Sequence, residues 1–524
     1  MRRFVLALAL VALVAADARA QTTAALLDSV QHASFLYFWS EANPANGLIK
    51  DRSTTASPAS IAAVGFGLSS IAVGIDHGWV TREAGRDRVL TTLQTLWTGP
   101  QGSGANGFIG YKGLYYHFLD MSTAVRTWNC ELSTIDTALL FAGILDAKQY
   151  FTGSDTTETR IRALADSIYY RADWEFARNG ASGIYMGWKP GTGYATFGLW
   201  QGYNEAMILY LLALGSPTHP VPASTWNYWM SGYQWTTQYG QTYVIFAPLF
   251  GHQYTHCWVD FRQRQDAFGR FRNITYFENS RRATLAQRAY AIANPGSWVG
   301  YSDSLWGLTA SDIKGGYNAR GAPPAMNDDG TITPTAPIGS IAFAPDEVIP
   351  VLRNMVLNYP LLWGPYGLRD AFNLSTAPAW YDTDYLGIDQ GPIVMMIENY
   401  LSGAVWNRFM LNPDIQTGLS RGGFTPVAGI ENPPVRAGQE LLAWSEPNPF
   451  THSTTIRFRL PDAGPVRLGV FDLAGRQVSR LLDETRPAGE HAVQWQPGSS
   501  ASGVYYVRLE SGGRVVTMRC VRLR

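Results

Sequence analysis

Acidic residues stand beside the predicted starts of three helices, where they could transfer protons at one end of a helical domain. At the first start, Ser133 and Asp136 have the spacing of a capping box, which predicts Asp136 in the first helical turn. Glu131 lies in the loop just before this turn. A protonated and an ionised carboxyl group in one site can act as general acid and general base. The structural alternative is that Asp136 caps a helix and Glu131 stabilises its dipole.

At the second predicted helix start, Glu205 follows a cluster of aromatic and amide side chains. Asn204 is the predicted N-cap, and Glu205 opens an otherwise apolar helix. Because Trp200 and Tyr203 stand just before it, we expect Glu205 to be partly removed from water. Desolvation raises the pKa of a carboxyl group, which suits a general acid. The alternative is an ordinary glutamate in a first helical turn.

The third acid at a predicted helix start is Asp389. Pro392 fits the first position of a helix, so Asp389 is predicted just ahead of a helix with an apolar interior. The alternative is an aspartate in a turn. Glycosidases use two such carboxyl groups, one to protonate the leaving oxygen and one to act on water or on the anomeric carbon. Hydrolysis of a glycosidic bond is therefore one chemistry that these residues could perform.

Two histidines, His252 and His256, have the i, i+4 spacing of a metal-binding pair. The sequence around them lacks the glutamate pattern of helical metalloproteases. Tyr254 and Trp258 lie beside them, so we interpret the pair as a substrate-binding or core feature. We predict neither a metal nor another cofactor.

The amino-acid composition limits the class of molecule that the protein is expected to bind. Lysine and arginine together number 41, as do aspartate and glutamate, so the chain has no bulk charge to attract nucleic acid. Aromatic residues make up 13% of the chain, which fits either sugar stacking or a large buried core. The three cysteines show no metal-type spacing and imply no disulfide framework. A neutral partner fits this composition best.

The elements that must position the acids are helices. Between about residues 22 and 410, apolar residues recur at spacings of three and four positions, as in helices. Loops of unequal length separate these helical segments. This pattern favours inner and outer helices closed into a toroid, with the site built by loops at one end. A superhelical solenoid is the alternative, although no repeat of fixed length is visible. The predicted helices cover residues 24–39, 61–75, 84–96, 135–150, 161–170, 206–214, 283–293, 347–357 and 392–409.

The character of the chain changes after Asn412. Prolines 426, 433 and 434 punctuate a linker, and alternating apolar residues then predict strands at 455–460, 466–471, 491–495 and 503–509. These strands predict a compact β-sandwich. We therefore expect a helical catalytic domain at 21–415, a linker at 416–445 and a β-sandwich at 446–524.

The N-terminus has the layout of a signal peptide over residues 1–20. Arg2 and Arg3 precede an apolar run, and the segment 18–20 offers small residues to signal peptidase. The apolar run is shorter than a membrane span needs, and no later segment is apolar for that length. We expect an exported protein, periplasmic, cell-surface or extracellular, with no membrane span after cleavage.

Several ordered motifs together resemble the glycoamylase-like family, which includes the endo-β-1,2-glucanases of glycoside hydrolase family 144 and domains of cyclic glucan synthases. The resemblance spans about residues 25–415, and its motifs are at 131–136, 202–205, 307–312, 320–324, 329–335, 343–346, 388–393 and 397–400. It implies an all-α (α/α)6 toroid and hydrolysis of a glucan with inversion. Glu205 would be the acid and Asp389 the carboxylate on the base side. Glu131 and Asp136 would bind sugar or orient water.

The cleft loop after Asp312 departs from the family pattern, because Ile313 and Lys314 replace an expected turn of the Gly-Pro type. This puts the shape of the loop in doubt. The predicted substrate-binding residues are Trp128, Trp200, Tyr203, His256, Trp258 and Asp312. Alternative functions are a non-catalytic glycan-binding protein, a glucan hydrolase for another linkage, and a polysaccharide lyase.

The C-terminal segment from about residue 446 resembles Ig-like modules related to flagellar hook-cap domains and to type IX secretion tails. The motifs lie at 447–450, 471–476 and 502–506. The resemblance implies either export sorting or surface attachment, through secretion or cell-surface machinery.

Overall fold

The computed structural model describes residues 22–427 and, beyond them, 442–446, 450–460, 463–472, 476–498, 501–512 and 514–523. The predicted signal peptide and the linker prolines 433 and 434 lie outside the described residues. The chain divides into two compact units. The first comprises Met1–Asn399 and Gly403–Ile430, and the second comprises Tyr400–Ser402 and Glu431–Arg524.

The first unit is built from helices joined by loops that contain short strands. Among the described residues, no helix is both long and apolar enough to cross a membrane. The helices are Thr23–Ser40, Ile61–Asp76, Arg82–Thr98, Thr134–Tyr150, Thr156–Tyr170, Trp174–Arg178, Met207–Gly215, Ser224–Met230, Phe250–Trp258, Ala267–Arg272, Tyr276–Ala293, Thr335–Ile338, Pro345–Asn358, Gly387–Leu401, Ala404–Phe409 and Pro413–Arg421, with a 3-10 turn at Pro360–Leu362.

The strands of this unit are two to four residues long and pair mostly as small hairpins. They are Ala59–Ser60, Gly110–Tyr111, Leu114–Tyr115, Phe118–Leu119, Leu132–Ser133, Gly187–Trp188, Trp235–Gln238, Gln241–Val244, Arg264–Gln265, Ser311–Ile313, Gly316–Asn318, Thr331–Ile332, Trp363–Gly364, Gly367–Leu368, Phe372–Asn373, Trp380–Tyr381 and Thr425–Pro426.

Two helices that begin near the candidate acids pack with their backbones in close approach. A Cβ atom at Gly65, in helix Ile61–Asp76, would lie 2.3 Å from the carbonyl oxygen of Leu139 in helix Thr134–Tyr150. A Cβ at Gly143 would lie 2.0 Å from the carbonyl oxygen of Gly65. Only glycine fits at these two positions, because any side chain would push the helices apart.

Two predicted helix starts beside the candidate acids differ in the structure. The helix predicted from Pro392 begins at Gly387, so Asp389 lies within its first turn rather than ahead of it. The helix after Glu205 begins only at Met207, and Asn204 accepts a hydrogen bond from the backbone of Ala206 instead of capping the helix. In both cases the tertiary contacts of the loop override the local capping signal.

The segment 392–409 was predicted as one helix but forms two. Gly403 separates Gly387–Leu401 from Ala404–Phe409, and its φ of +69° is a left-handed conformation that ends a helix. The apolar periodicity continues through this break, because both helices pack against the interior.

The helical unit extends further than predicted, through residues assigned to the linker. Asn412 caps helix Pro413–Arg421, and Arg421 donates to the carbonyl oxygen of Leu214 at 2.7 Å. Strand Thr425–Pro426 pairs with Arg264–Gln265. The boundary at 415 is therefore wrong, since a capped helix and a strand pair hold residues 416–427 in the helical unit.

The second unit contains two antiparallel sheets. One has three strands in the order Leu442–Glu446, Thr454–Leu460, Gly489–Trp495, and the other has four in the order Gln477–Arg486, Gly464–Phe471, Gly503–Ser511, Arg514–Arg522. The four strands predicted from alternation are present. Strand Gln477–Arg486 escapes prediction because many of its side chains face solvent. The buried core comprises Phe450, Ile456, Phe458, Leu460, Val466, Leu468, Val470, Trp495, Tyr505, Val507, Leu509 and Cys520.

Candidate functional site

Glu205 lies in the turn before helix Met207–Gly215. Its backbone carbonyl accepts a hydrogen bond from Thr255 at 3.5 Å, while Oε2 is shielded from solvent and has no hydrogen-bond partner among the described residues. Burial raises the pKa of Glu205 to about 7, a backbone hydrogen bond opposes this shift, and the charge of Asp136 adds to it. A carboxyl group with this pKa keeps its proton near neutral pH often enough to act as a general acid.

Glu131 and Asp136 lie on either side of His117. The Nδ1 atom of His117 is 2.8 Å from Glu131 Oε1, and Nε2 is 3.5 Å from Asp136 Oδ1. Ser133 caps the helix as the spacing predicts, since its Oγ accepts from the backbone of Asp136 at 3.2 Å. Burial would raise the pKa of Glu131, but the hydrogen bond and charge of His117 outweigh burial and lower it. Glu131 therefore stays ionised.

Asp389 and Asp370 form a pair of buried carboxyl groups, each 2% exposed. Burial raises the pKa of Asp389 to about 7, while a hydrogen bond from Asp370 opposes this shift. Burial and the charge of Asp389 raise the pKa of Asp370 well above its usual range, and the same hydrogen bond adds to this shift. The hydrogen bond between the two side chains therefore favours the proton on Asp370 and the ionised form of Asp389. Asp370 Oδ2 also accepts from the backbone of Asp312 at 2.8 Å.

Arg52 brings positive charge to the same group of acids. Its Nη1 lies 3.1 and 3.0 Å from the two carboxylate oxygens of Asp312, and its Nε lies 3.4 Å from Asp51 Oδ2. Asp312, Asp370 and Asp382 each place one oxygen within 4.8 Å of the others, a spacing that suits a metal ion. Here Arg52 supplies a positive charge to Asp312. Burial, followed by the charges of Asp370 and Asp312, raises the pKa of Asp382 to about 7.

The charges of both candidate catalytic acids act on Tyr254. Its phenol is buried, which raises its pKa above the usual range, and the charges of both Asp389 and Glu205 contribute to this shift. Helix Phe250–Trp258, which carries Tyr254, also contacts the backbone of Glu205. Both acids therefore act electrostatically on the same buried tyrosine.

The loop whose shape was in doubt forms a hairpin. Strand Ser311–Ile313 pairs with Gly316–Asn318, so that Asp312 lies opposite Tyr317. Gly315 completes the turn with a φ of +94°. Although Tyr317 is 47% exposed, the surrounding protein and then the charge of Asp389 raise the pKa of its phenol. The hairpin therefore carries an exposed tyrosine over the acids.

Trp128 is exposed to solvent over 61% of its surface. Its φ of +55° is rare for a bulky residue, and Asn129 follows at +51°. Arg126 holds this backbone by donating to Asn129 Oδ1 at 2.8 Å. The ring of Phe118 lies 5.1 Å from Trp128 and stacks 3.8 Å from His117. An aromatic row thus runs from solvent to the histidine between the acids.

Four other predicted binding residues lie mainly in the interior. The Trp200 indole donates to Thr134 at 3.1 Å, and Tyr203 is 4% exposed, so both support the loop that carries Glu205. His256 and Trp258 are buried at 1% and 0% exposure. The expectation that these last two contact substrate is not met in this structure, because the folded core encloses both rings.

The paired histidines have separate partners. His252 Nε2 lies 3.1 Å from the carbonyl oxygen of Phe246, and His256 Nε2 lies 3.1 Å from Ser280 Oγ. Burial lowers the pKa of each histidine to about 3. Both rings are neutral components of the core.

The sequence analysis did not identify His117, Arg52, Asp370 or Asp382. None stands at a predicted helix start, and each reaches the site from a loop or the edge of a short strand. The segment 380–385, with Asp382 and Asp384 among aromatic residues, carried a weak signal. Nothing local distinguishes His117, whose role depends on the fold around it.

Comparison with known proteins places this geometry in a family. Residues 198–413 match the Glycoamylase family model, described as "Putative glucoamylase". An exo beta-1,2-glucooligosaccharide sophorohydrolase (non-reducing end) of Parabacteroides distasonis is 31% identical over 442 residues, which cover 78% of this chain and 59% of that relative. The match thus spans less than two thirds of that relative's length.

Solved structures agree with this match. A "putative glucoamylase" from Bacteroides uniformis is 36% identical, with a TM-score of 0.71, over 78% of this chain and 98% of that one. An endo-beta-1,2-glucanase from Chitinophaga pinensis, in complex with sophorotriose and glucose, is 29% identical, with a TM-score of 0.71, over 77% of this chain and 99% of that one. Residues 447–522 match a secretion system C-terminal sorting domain. The chain belongs to the glycoamylase-like family and carries a C-terminal sorting domain.

Proposed function

We propose that this protein is a glycoside hydrolase that cleaves β-1,2-glucan, with Glu205 as general acid and Asp389 on the base side. The observation that carries the proposal is the pair of buried carboxyl groups, each with its pKa raised to about 7, whose charges both raise the pKa of Tyr254. The linkage is supported by relatives named for β-1,2-glucan and its oligosaccharides.

The proposed reaction is an inverting hydrolysis. Glu205 gives its proton to the glycosidic oxygen as the bond breaks, and Asp389 accepts a proton from the water that attacks the anomeric carbon. A hydrogen bond from Asp370 lowers the pKa of Asp389 and so favours the ionised form that this step needs. Glu131 and Asp136 accept hydrogen bonds from sugar hydroxyl groups or orient the water.

The architecture in this proposal is an (α/α)6 toroid followed by an Ig-like sandwich. The helical neighbours at a TM-score of 0.71 support the first part. The three-stranded and four-stranded antiparallel sheets of the second unit support the Ig-like sandwich. In this arrangement the acids occupy one end of the toroid, where loops of unequal length form the cleft.

The experiment that tests this function is the release of reducing ends from a panel of purified α- and β-glucans by the full chain. We expect release from β-1,2-glucan and little from the others. Release from another glucan alone would assign a different linkage. Binding without release would make the chain a glycan-binding protein, and an absorbing unsaturated product would make it a lyase.

Trp128→Ala is expected to raise KM for long β-1,2-glucan about 3- to 10-fold while kcat changes little, since the exposed ring can stack on a sugar away from the scissile bond. KM should be measured against chain length, and the effect should fade for the shortest oligosaccharides. Phe271→Ala is the matched control, because it removes a ring that is 77% exposed on helix Ala267–Arg272. An unchanged KM for every length would show that Trp128 does not bind substrate.

Removal of residues 446–524 is expected to leave turnover of soluble glucan within about twofold, because every candidate acid lies in the helical unit. Export or surface display should be lost instead, since the tail matches a sorting domain. Activity of the purified truncated protein and its distribution among cell fractions measure the two effects. A large loss of turnover by a truncated protein that keeps its helical circular dichroism signal and unfolds cooperatively would contradict this separation of roles.

A further inference from the structure

His117 faces carboxylates with both of its ring nitrogens. Glu131 Oε1 lies 2.8 Å from Nδ1, and Asp136 Oδ1 lies 3.5 Å from Nε2. A neutral imidazole has one donor nitrogen and one acceptor nitrogen, so it would turn a lone pair toward one carboxylate. An imidazolium donates from both nitrogens and meets both carboxylates favourably.

The ring is fixed in this position by its neighbours. Phe118 stacks on it with the ring centroids 3.8 Å apart. The backbone of His117 donates to the carbonyl oxygen of Glu131 at 2.9 Å and accepts from the backbone of Ile61 at 3.2 Å. The histidine therefore joins the Glu131 loop to the start of helix Ile61–Asp76.

We propose that His117 is a positioning residue whose imidazolium holds Glu131 and Asp136 in place and balances their charge beside the acid Glu205. This inference rests on the proposed hydrolytic function. It assigns His117 a role that neither its position in the sequence nor the similarity to known proteins indicates. The histidine touches no reacting atom and acts through the two carboxylates.

The charges around this group support the imidazolium form. Burial opposes the charged ring, but Asp136, Glu131 and then Asp51 outweigh burial and raise the pKa of His117 to about 9. The charge of Asp136 in turn raises the pKa of Glu205. Loss of the imidazolium would leave the charge of Asp136 less balanced and would raise the pKa of Glu205 further.

Two more cations complete the surroundings. The charge of Lys189 helps to lower the pKa of Glu131, and burial raises the pKa of Asp51 although the charge of Arg52 opposes this shift. The hydrogen bond from His117 is the strongest influence that lowers the pKa of Glu131. Substitution of His117 therefore removes the charge that Glu131 and Asp136 share.

The first test reads the ring directly. In the full chain labelled with ¹⁵N-histidine, the His117 signal is the one of eight that His117→Gln removes. We expect both ring nitrogens to be protonated at pH 7.5 and to titrate near pH 9. A ring that titrates near 6.5 would overturn the proposal, whether or not the protein cleaves β-1,2-glucan. If His117→Gln does not fold, Glu131→Gln identifies the signal by lowering the pKa of its partner.

The second test reads the pH dependence of kcat/KM on β-1,2-glucan. His117→Gln should lower kcat/KM about 10- to 10²-fold and move the alkaline limb of the profile about half a unit or more to higher pH. His219→Gln, at an exposed position outside the site, is the control and should change neither kcat/KM nor the pH of the alkaline limb. A lower rate with unchanged pH limits would reduce His117 to a structural residue. Absence of cleavage by the wild-type protein would instead refute the proposed function.

Discussion

Glu205→Gln is expected to lower kcat on β-1,2-glucan about 10²- to 10⁴-fold while the substrate still binds. Glutamine keeps the shape of the side chain but cannot give a proton to the leaving oxygen, and general acid catalysis contributes a rate factor of this size. The turn before helix Met207–Gly215 should tolerate the change, because Oε2 makes no hydrogen bond with the described residues. Steady-state kinetics measure the fall in kcat, and a binding isotherm measures the retained affinity for substrate.

The same variant should recover much of its rate on an aryl β-sophoroside, whose leaving group departs without protonation. In the wild-type protein, activity on glucan should fall as pH rises through about 7, because Glu205 loses its proton there. The activated substrate should show no such fall in the variant. Glu83→Gln, an exposed glutamate in the first turn of another helix, is the matched control and should behave as wild type.

Near-normal turnover of glucan by Glu205→Gln would refute this assignment. If Glu131 or Asp136 variants were inactive in the same assay, the acid would have to come from the segment that contains these two residues. His117 holds Glu131 ionised, which disfavours Glu131 as a proton donor.

Asp389→Asn is expected to lower kcat by a similar 10²- to 10⁴-fold on glucan, since an amide cannot accept a proton from the attacking water. In contrast to Glu205→Gln, this variant should stay impaired on the aryl sophoroside, because water activation is needed with either leaving group. Asp346→Asn, in the first turn of helix Pro345–Asn358, controls for a change at a helix start.

The contrast between the two variants assigns the two roles. Rescue of Asp389→Asn by the better leaving group, without rescue of Glu205→Gln, would exchange them. Equal rescue of both would show that neither carboxyl group is specific to one step. Thermal melting of each variant should accompany the kinetics, since Asp389 is a buried residue whose substitution is expected to affect stability.

The sequence predicts the helical elements and part of the site well because these depend on short-range signals. Ser133 caps the helix at the backbone of Asp136 as predicted, and burial raises the pKa of Glu205 as expected. Apolar periodicity also locates most ends of the predicted helices to within a few residues, but it misses several shorter helices, such as Phe250–Trp258 and Pro413–Arg421. Such signals are local, so they are readable from one sequence.

The remaining features depend on contacts between distant segments. Arg52 meets Asp312 across 260 residues of chain, and no local pattern predicts that ion pair. His117 joins the site through a short strand that pairs with Ala59–Ser60 at its neighbour Phe118. The helix at Asp389 begins earlier than Pro392 suggests, which places the carboxyl group inside the first turn.

The most direct test of the account follows the anomeric protons by ¹H NMR in the first minutes of β-1,2-glucan digestion by the full chain. Hydrolysis with inversion at a β linkage predicts that new reducing ends appear first as the α anomer, and that the β signal grows later by mutarotation. Initial formation of the β anomer would contradict the inverting roles of Glu205 and Asp389. Absence of new reducing ends would contradict hydrolysis of this glucan altogether.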